Sequence, residues 1–263
     1  MRIRVLFAAG LAGFVGYCSI AASADDPKSK LEKGSVIPSA FRAYLVTDSR
    51  FPPVKTPDGK EQPDARIRAG KIHCLVCENG LAPVIAVFVR LKGPASEAFT
   101  PDKGLGDLVM KTNRMISQPQ YRANKLASFV MFLRLEGGSK DVTVKTKKDN
   151  VDGEDKVKAD LEFPDEDDLK RAEYVEDIKK FAAGLNSPNV PFGLAAVKSK
   201  ALVEWGIVKD KDKDDEMNAI TVVLYHRMRV VKTWEFKAAT DLQDGNVSDI
   251  IKTTEDLLTE KRK

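Results

Sequence analysis

Two cysteines three positions apart, Cys74 and Cys77, are the residues of this chain best suited to chemistry. A Cys-x-x-Cys pair can exchange disulfides with a substrate, because the second thiol can reach a mixed disulfide formed on the first. Lys71 and His73 lie just before the pair, and a positive charge there would stabilise a thiolate. Cys74 and Cys77 are therefore candidates for a redox-active dithiol, and Lys71 and His73 are candidates for tuning the thiol.

The same spacing is compatible with other uses of the two cysteines. A purely structural disulfide would close a loop of only four residues, which the chain-entropy expression values at about 2 kcal/mol, against about 3 kcal/mol for fifteen residues. Zinc normally needs four ligands, and besides the cysteines only His73 and His226 are available. Haem attachment needs histidine directly after the second cysteine, where Glu78 stands. We predict neither a metal site nor a cofactor.

The N-terminus has the pattern of a secretory signal peptide over residues 1–24. Arg2 and Arg4 precede an apolar stretch, and Ala22-Ser23-Ala24 forms a small-residue cleavage site before Asp25. No later segment approaches the roughly 20 apolar residues of a membrane span. The pattern therefore predicts an exported protein, periplasmic or extracellular, with no membrane span after cleavage.

Composition limits the classes of partner. Removing Arg2 and Arg4 with the leader, which holds no acidic residue, lowers the formal charge from +4 to +2. This near balance gives no electrostatic case for binding nucleic acid. Loss of Cys18 leaves Cys74 and Cys77 as the remaining cysteines, in a compartment expected to be oxidising. Protein thiols or disulfides are the partners that such a pair would meet.

The elements that would position the cysteines begin just after them. Val84 to Val89 is an unbroken apolar run rich in β-branched residues, which is typical of a strand covered on both faces. A helical stripe follows from Leu105 to Ile116, and a second apolar run covers Ser128 to Leu133. This β-α-β order with short links predicts parallel strands joined by a right-handed crossover.

The flanking segments differ in composition. Residues 25–70 alternate short apolar pieces with proline and glycine turns, which predicts an extension with short strands. Residues 137–164 are densely charged, which predicts a solvated, partly disordered insertion. The acidic run Asp165 to Asp168 then opens a helix that proline stops after Asn186.

The last third of the chain predicts a strand, a hairpin and a helix. Phe192 to Val197 is a short strand candidate entered through Val190 and Pro191. Ile220 to Tyr225 and Val230 to Phe236 flank a four-residue turn, which indicates an antiparallel hairpin. Apolar positions from Val247 to Leu258 follow helical spacing in the final segment.

Taken in order, these segments resemble the thioredoxin fold from about Leu81 to Leu258. The resemblance is carried by Val84 to Val89 as the central strand, Asn189 to Phe192 as a proline loop, and Ile220 to Phe236 as the closing hairpin. The opening Gly34 to Phe41 resembles the Gly-x-x-x-Pro-x-x-Phe entry of secreted thioredoxin-like and peroxiredoxin-related proteins. The resemblance implies an α/β fold, with a central mixed sheet flanked by helices, over residues 71–263.

The resemblance also makes claims about the site. It implies that the Phe192 strand flanks the central strand, that the Val190–Pro191 peptide bond is cis, and that both residues contact substrate. It breaks after the central strand, where these proteins carry Cys-x-x-Cys and this chain reads Lys92-Gly93-Pro94-Ala95. Two functions remain open: thiol–disulfide exchange through the displaced pair, or a non-catalytic binding or scaffold domain with a structural Cys74–Cys77 disulfide.

Overall fold

A seven-stranded mixed sheet with helices on both faces forms the centre of the molecule. The computed structural model describes residues 31–37, 40–51, 53–62, 64–91, 103–134, 143–149, 156–162, 168–196, 199–208 and 217–260. The strands are β1 (Ala43–Thr47), β2 (Val54–Lys55), β3 (Glu61–Gln62), β4 (Ile72–His73), β5 (Pro83–Leu91), β6 (Ala127–Arg134), β7 (Thr143–Asp149), β8 (Lys156–Glu162), β9 (Phe192–Ala196), β10 (Ile220–His226) and β11 (Arg229–Phe236). The helices are α1 (Leu75–Asn79), α2 (Lys103–Ser117), α3 (Pro119–Arg122), α4 (Asp168–Leu185), α5 (Lys200–Trp205) and α6 (Asp244–Glu260), with a 3₁₀ turn at Ala239–Asp241.

The strand order is β11-β10-β5-β6-β9-β1-β4. β5, β6 and β9 run parallel to one another, whereas β10 is antiparallel to β5 and β1 is antiparallel to β9. The β5-α2-β6 unit, helix α4, strand β9, the β10–β11 hairpin and the final helix α6 are all elements that the sequence predicted. This arrangement confirms an α/β, thioredoxin-like fold, with β5 inside the sheet.

β5 is buried along its whole length because the sheet is covered on both sides. Its odd-numbered residues, such as Val87, join a core cluster with the apolar stripes of α2, α4 and α6. Its even-numbered residues, such as Phe88, join a second cluster with α1 and α5. Each fully buried Val, Ile or Phe side chain contributes roughly 1.5–3 kcal/mol. Because its side chains alternate between the two clusters, β5 contributes to the hydrophobic core on both faces of the sheet.

Two predictions about the segment around Pro191 are wrong: the position of the Phe192 strand and the cis geometry of the Val190–Pro191 bond. β9 lies between β6 and β1, and β5 is flanked by β6 and β10, so the Phe192 strand does not neighbour the central strand. The Val190–Pro191 peptide bond is trans, since no cis bond occurs among the described residues. Trans is the ordinary geometry of X–Pro bonds, favoured by about 0.5–1 kcal/mol. The place beside β5 is taken by β10, which is entered through Met217, Asn218 and Ala219.

Part of the N-terminal extension belongs to the main sheet. β1 pairs with β9 on one side and with β4 on the other, so residues 43–47 are built into the domain core. Residues 31–37 lie along the opposite edge, where the Gly34 N–H donates to the Val230 carbonyl at 2.7 Å. The short β2–β3 hairpin forms a separate two-stranded sheet, as the turn signals of this region predicted.

The charged insertion contains regular structure that the sequence analysis did not predict. β7 and β8 form an antiparallel two-stranded sheet of their own. Alternation of Val and Thr with Lys over Val144 to Lys147 suits a strand period of two, and the density of charge concealed it. The predicted signal peptide, residues 1–24, and the Lys92–Ala95 turn lie outside the described residues.

Two backbone details explain how the hairpin and the helices meet the sheet. Arg227 and Met228 have φ of 51° and 59°, so the β10–β11 turn has two central residues in the left-handed region, as tight hairpins require. A Cβ placed on Gly104 would lie 1.6 Å from the Leu242 carbonyl oxygen, so only glycine permits this approach at the start of α2.

Within the described part of the chain, no helix has the length and apolarity to cross a membrane.

Candidate functional site

The two cysteines lie where the edge strand β4 turns into the short helix α1. Cys74 is the N-cap of α1, with extended backbone angles of −106° and 95°, and its Sγ accepts the Cys77 N–H at 3.1 Å. At the other end of α1 the Asn79 side chain donates to the Leu75 carbonyl at 2.9 Å. The pair therefore occupies a strand-to-helix turn at the edge of the sheet.

Cys74 and Cys77 are joined by a disulfide, with their Cα atoms 5.3 Å apart. The two sulfurs have different surroundings, because Cys74 is only 9% exposed whereas Cys77 is exposed. Leu75 and Val76 between them are 1% and 0% exposed and pack into the core cluster on the α1 face of the sheet. The burial of α1 therefore fixes Cys74 inside and leaves Cys77 at the surface.

A chain of ion pairs involves the residues next to the disulfide. Glu78, next to Cys77, accepts a hydrogen bond from Arg50 Nη1 at 2.7 Å and pairs with His73 Nε2 at 2.7 Å. Arg50 Nε also donates to Asp48 Oδ1 at 2.7 Å. The Asp48 side chain is fully buried and accepts a further hydrogen bond from the Arg68 N–H at 3.2 Å. The loop after β1 is thus tied to the residues on both sides of the cysteines.

Burial and hydrogen bonding act in opposite directions on this network. Burial disfavours the charged form of Asp48, but the hydrogen bonds and positive charge of Arg50 outweigh it, so the pKa of Asp48 is lowered. Burial likewise opposes the charge of Arg50, while the bonds to Asp48 and Glu78 keep its pKa raised. Asp48 and Arg50 are therefore ionised at neutral pH and hold each other in place.

A second pair of charges is stacked on the same loop. The guanidinium carbons of Arg50 and Arg66 lie 5.3 Å and 4.3 Å from the centre of the Phe51 ring. Hydrogen bonds from the Arg66 side chain and backbone lower the pKa of Asp64 to about 2. Cation–ring contacts of the kind that Arg50 and Arg66 make with Phe51 contribute about 0.5–1 kcal/mol at exposed sites. They order the Arg50 loop beside α1.

The predicted tuning residues lie near the disulfide but contact other groups. His73 bonds to Glu78 at 2.7 Å. The Lys71 carbonyl accepts the Leu45 N–H at 2.9 Å, and its N–H donates to the Arg68 carbonyl at 3.0 Å, so its backbone extends the β4 ladder. The Lys71 side chain is exposed. The role of Lys71 and His73 in tuning a thiol stays a prediction.

Val190 and Pro191 lie away from the cysteines and are both buried. Pro191 precedes β9 at the end of β1 where Thr47 faces Phe192, whereas Cys74 follows the His73–Ala43 pair at the other end of β1. The four residue steps of β1 correspond to roughly 13 Å along the strand. β4 and β9 also lie on opposite sides of β1. The structure therefore does not bring the predicted contact residues to the disulfide.

Sequence reasoning missed three members of the site. Glu78 directly follows the cysteine motif, and its spacing of five from His73 across one helical turn was the available signal. Arg50 and Asp48 are more than twenty residues away in the sequence, and tertiary structure alone brings them to Glu78. The ion pairs therefore could not be derived from the Cys-x-x-Cys pattern.

A small pocket lies beside the carboxyl-terminal part of β5, between that strand and the segment that follows α5. Its lining residues are Phe88, Arg90, Leu133, Ile207, Val208, Met217, Asn218 and Thr221. Arg90 is only 8% exposed and its Nη1 donates to the Met217 carbonyl at 3.3 Å. No group of three or more His, Cys, Asp or Glu side chains is placed to hold a metal ion among the residues that the structure describes.

No protein-family model and no curated protein matches this chain. Solved structures similar to it include a proposed thiol:disulfide interchange protein DsbE from Chlorobium tepidum, at 13% identity, 85% coverage of this chain, 99% coverage of that chain and a TM-score of 0.39. The peroxidoxin BcpB from Mycobacterium tuberculosis is 11% identical, with 85% of this chain and 96% of that chain covered and a TM-score of 0.41. A secreted Mycobacterium tuberculosis disulfide oxidoreductase homologous to E. coli DsbE is 9% identical, with 80% of this chain and 96% of that chain covered and a TM-score of 0.35. These values are too low to carry an argument about activity, and the thioredoxin-like fold of this chain is established by its own strand order and connections.

Proposed function

We propose that this chain is an exported thiol–disulfide exchange protein that acts through Cys74 and Cys77. The observation that carries the proposal is the disulfide between them, in which Cys77 is an exposed residue and Cys74 is a buried residue at the start of α1. Exchange requires one sulfur that a substrate can reach and a second close enough to leave and return. The pair has both properties.

The reaction transfers two electrons between this disulfide and a protein dithiol. A substrate thiolate attacks one sulfur of the disulfide, a mixed disulfide forms, and the other cysteine leaves as a thiolate that takes up a proton. The second thiol of the substrate, as its thiolate, then attacks the substrate sulfur of the mixed disulfide. The protein cysteine that was bonded to this sulfur leaves as a thiolate and takes up a proton. The substrate becomes a disulfide, Cys74 and Cys77 become thiols, and the reverse sequence reduces a substrate disulfide. No cofactor is needed.

Export is the second part of the proposal. It is supported by the leader-like pattern of residues 1–24 and by a disulfide that an oxidising compartment would preserve. Expression in a bacterial host with cell fractionation tests it. We expect a mature chain that begins at Asp25 outside the cytoplasm, and an uncleaved chain retained in the cytoplasm would contradict the proposal.

The activity is tested by measuring thiol exchange and reduction potential together. The purified wild-type chain is incubated with a dithiol peptide and the peptide disulfide is quantified against the Cys74→Ser/Cys77→Ser double variant. We expect the wild type, but not the double variant, to oxidise the peptide. We also expect the Cys74–Cys77 disulfide to have a reduction potential above about −300 mV, since structural disulfides usually lie below that value. Exchange no faster than with the double variant would refute the activity.

A structural role for the disulfide is the competing function, and one observation favours it. Cys74 belongs to the buried core cluster that includes Leu75 and Val76, so its sulfur also serves packing. On this alternative the chain is a non-catalytic binding or scaffold domain. The same titration separates the two functions, because a structural bridge has a potential below about −300 mV and yields no peptide disulfide.

A further inference from the structure

We propose that Cys77, the second cysteine of the motif, is the sulfur that substrates attack, and that Cys74 is the leaving and resolving sulfur. This inference rests on the proposed exchange activity. It begins from the unequal exposure of the two residues, because access decides which sulfur of a disulfide is attacked. Cys74 is 9% exposed and Cys77 lies at the surface.

The difference in exposure is built into the packing of α1. Leu75 and Val76 are buried against the sheet, and Cys74 precedes them at the point where β4 ends. In α1 the residues Cys77 and Glu78 form the exposed side of the turn. Exposure of Cys74 would require α1 to leave the core, which would remove two fully buried side chains from it. The order of attack is therefore set by the fold.

Cys74 is also the better placed leaving group. Its Sγ already accepts the backbone N–H of Cys77 at 3.1 Å. When the disulfide opens, the same N–H donates to a thiolate, and hydrogen bonds to a charged acceptor are roughly twice as strong as neutral ones. A better stabilised thiolate leaves faster. Attack on Cys77 is thus assisted by a donor that is in place before the reaction.

In the proposed step, a substrate thiolate forms a bond to Cys77 Sγ as the Cys74–Cys77 bond breaks. The electron pair of the broken bond goes to Cys74 Sγ, which holds it as a thiolate or takes a proton from solvent. The second substrate thiolate then attacks the substrate sulfur of the mixed disulfide and releases Cys77 as a thiolate. One substrate disulfide is formed and one protein disulfide is reduced.

The order is tested by mapping the mixed disulfide on the oxidised wild-type chain. A peptide with a single cysteine is added, the reaction is quenched with acid, free thiols are alkylated with N-ethylmaleimide, and the adducts are located by tandem mass spectrometry. We expect at least tenfold more peptide on Cys77 than on Cys74. An equal distribution, or an excess on Cys74, would overturn the inference.

Two single-cysteine variants give an independent measurement. Cys74→Ser keeps an oxygen that can cap α1, because serine is a favourable N-cap, and Cys77→Ser is the matched partner. With glutathione disulfide as the probe, we expect the Cys74→Ser variant to form its adduct at least tenfold faster. An equal or faster rate for Cys77→Ser contradicts the inference, provided that circular dichroism shows both variants folded.

The result also separates the inference from the proposed function. If the wild type oxidises the dithiol peptide but the adduct maps to Cys74, the activity stands and the order is wrong. If the wild type gives neither peptide oxidation nor any adduct, both fail. Adduct on Cys77 together with peptide oxidation supports both.

Discussion

The central strand β5 and the edge strand β4 are each followed along the chain by a helix, but the cysteines lie after β4 and not after β5. After β5 the sequence Lys92-Gly93-Pro94-Ala95 offers no sulfur, although the thioredoxin resemblance places a cysteine pair there. After β4, Cys74 and Cys77 form a disulfide at the start of α1. The scaffold and the cysteine pair are therefore separable parts of this molecule, which agrees with the rule that function lies in the site and not in the fold.

The centre and the edge are also stabilised by different forces. β5 is buried on both faces, and its stability comes from apolar contacts such as those of Phe88 with Phe41 and Trp205. β4 is two residues long and, in the part of the chain that the structure describes, has one neighbouring strand. The segment after β4 is held by the disulfide and by Asp48 and Arg50. The centre should therefore respond to cavities, and the edge to pH and reductant.

The largest effect is expected for Phe88→Ala in β5. Phe88 is 1% exposed and its ring lies 5.6–6.3 Å from those of Phe41, Phe129 and Trp205. Deletion of such a ring should reduce the free energy of unfolding by about 3–5 kcal/mol, measured by urea denaturation. Leu81→Ala, at an 80% exposed position, is the control and should change it by less than about 0.5 kcal/mol. A similar loss in both variants would contradict the division into centre and edge.

Asp48→Asn should have the next largest effect, because it removes the buried charge opposite Arg50. We expect a loss of about 2–3 kcal/mol at pH 7, the scale of hydrogen bonds to charged groups, with Asp256→Asn on the surface of α6 as control. The folded pKa of Asp48 lies below the ordinary value of 3.8. Its contribution is thus complete above 3.8 and is lost as the pH falls through the folded pKa. The difference between wild type and variant should shrink over that acid range, and a difference independent of pH would refute the assignment.

Removal of the disulfide should cost somewhat less. The Cys74→Ser/Cys77→Ser variant loses a four-residue loop closure, worth about 2 kcal/mol, and thermal unfolding in the presence and absence of dithiothreitol measures it. We expect reductant to lower the melting temperature of the wild type and to leave the variant unchanged. A wild type insensitive to reductant, with its thiols shown to be free, would mean that the edge does not depend on the bond.

The smallest effect is expected for Glu78→Gln, and it concerns rate. Glu78 places a negative charge next to Cys77, and two like charges about 6 Å apart in water repel by roughly 0.7 kcal/mol. Neutralising it should speed attack by an anionic thiolate by roughly threefold at low salt, with less change at 1 M salt because the charges are screened. The rate of adduct formation with glutathione measures this. A slower variant would show that Glu78 assists through its bonds to Arg50 and His73.

The sequence was informative wherever burial left a continuous pattern. β5 and β6 were predictable because strands covered on both faces become unbroken apolar runs, and α2 because its stripe follows the helical period. The neighbours of β9 were not predictable, since a short apolar strand carries no mark of which edge it joins. Within the site, only the cysteines and their sequence neighbours Lys71 and His73 were predictable. Asp48 and Arg50 reach it through the β1 pairing, which local patterns do not encode.

The pairing of β1 has a consequence for how the molecule is made. Tyr44 is paired with Leu194, so β1 cannot take its place until most of the nascent chain has been made. Among the described strands, β4 pairs with β1 alone. Cys74 and Cys77 are three residues apart and need no folded partner to meet. An oxidant can therefore close this bond early, before the residues of β9 have been made. The native surroundings of the sulfurs are completed much later, when β9 arrives.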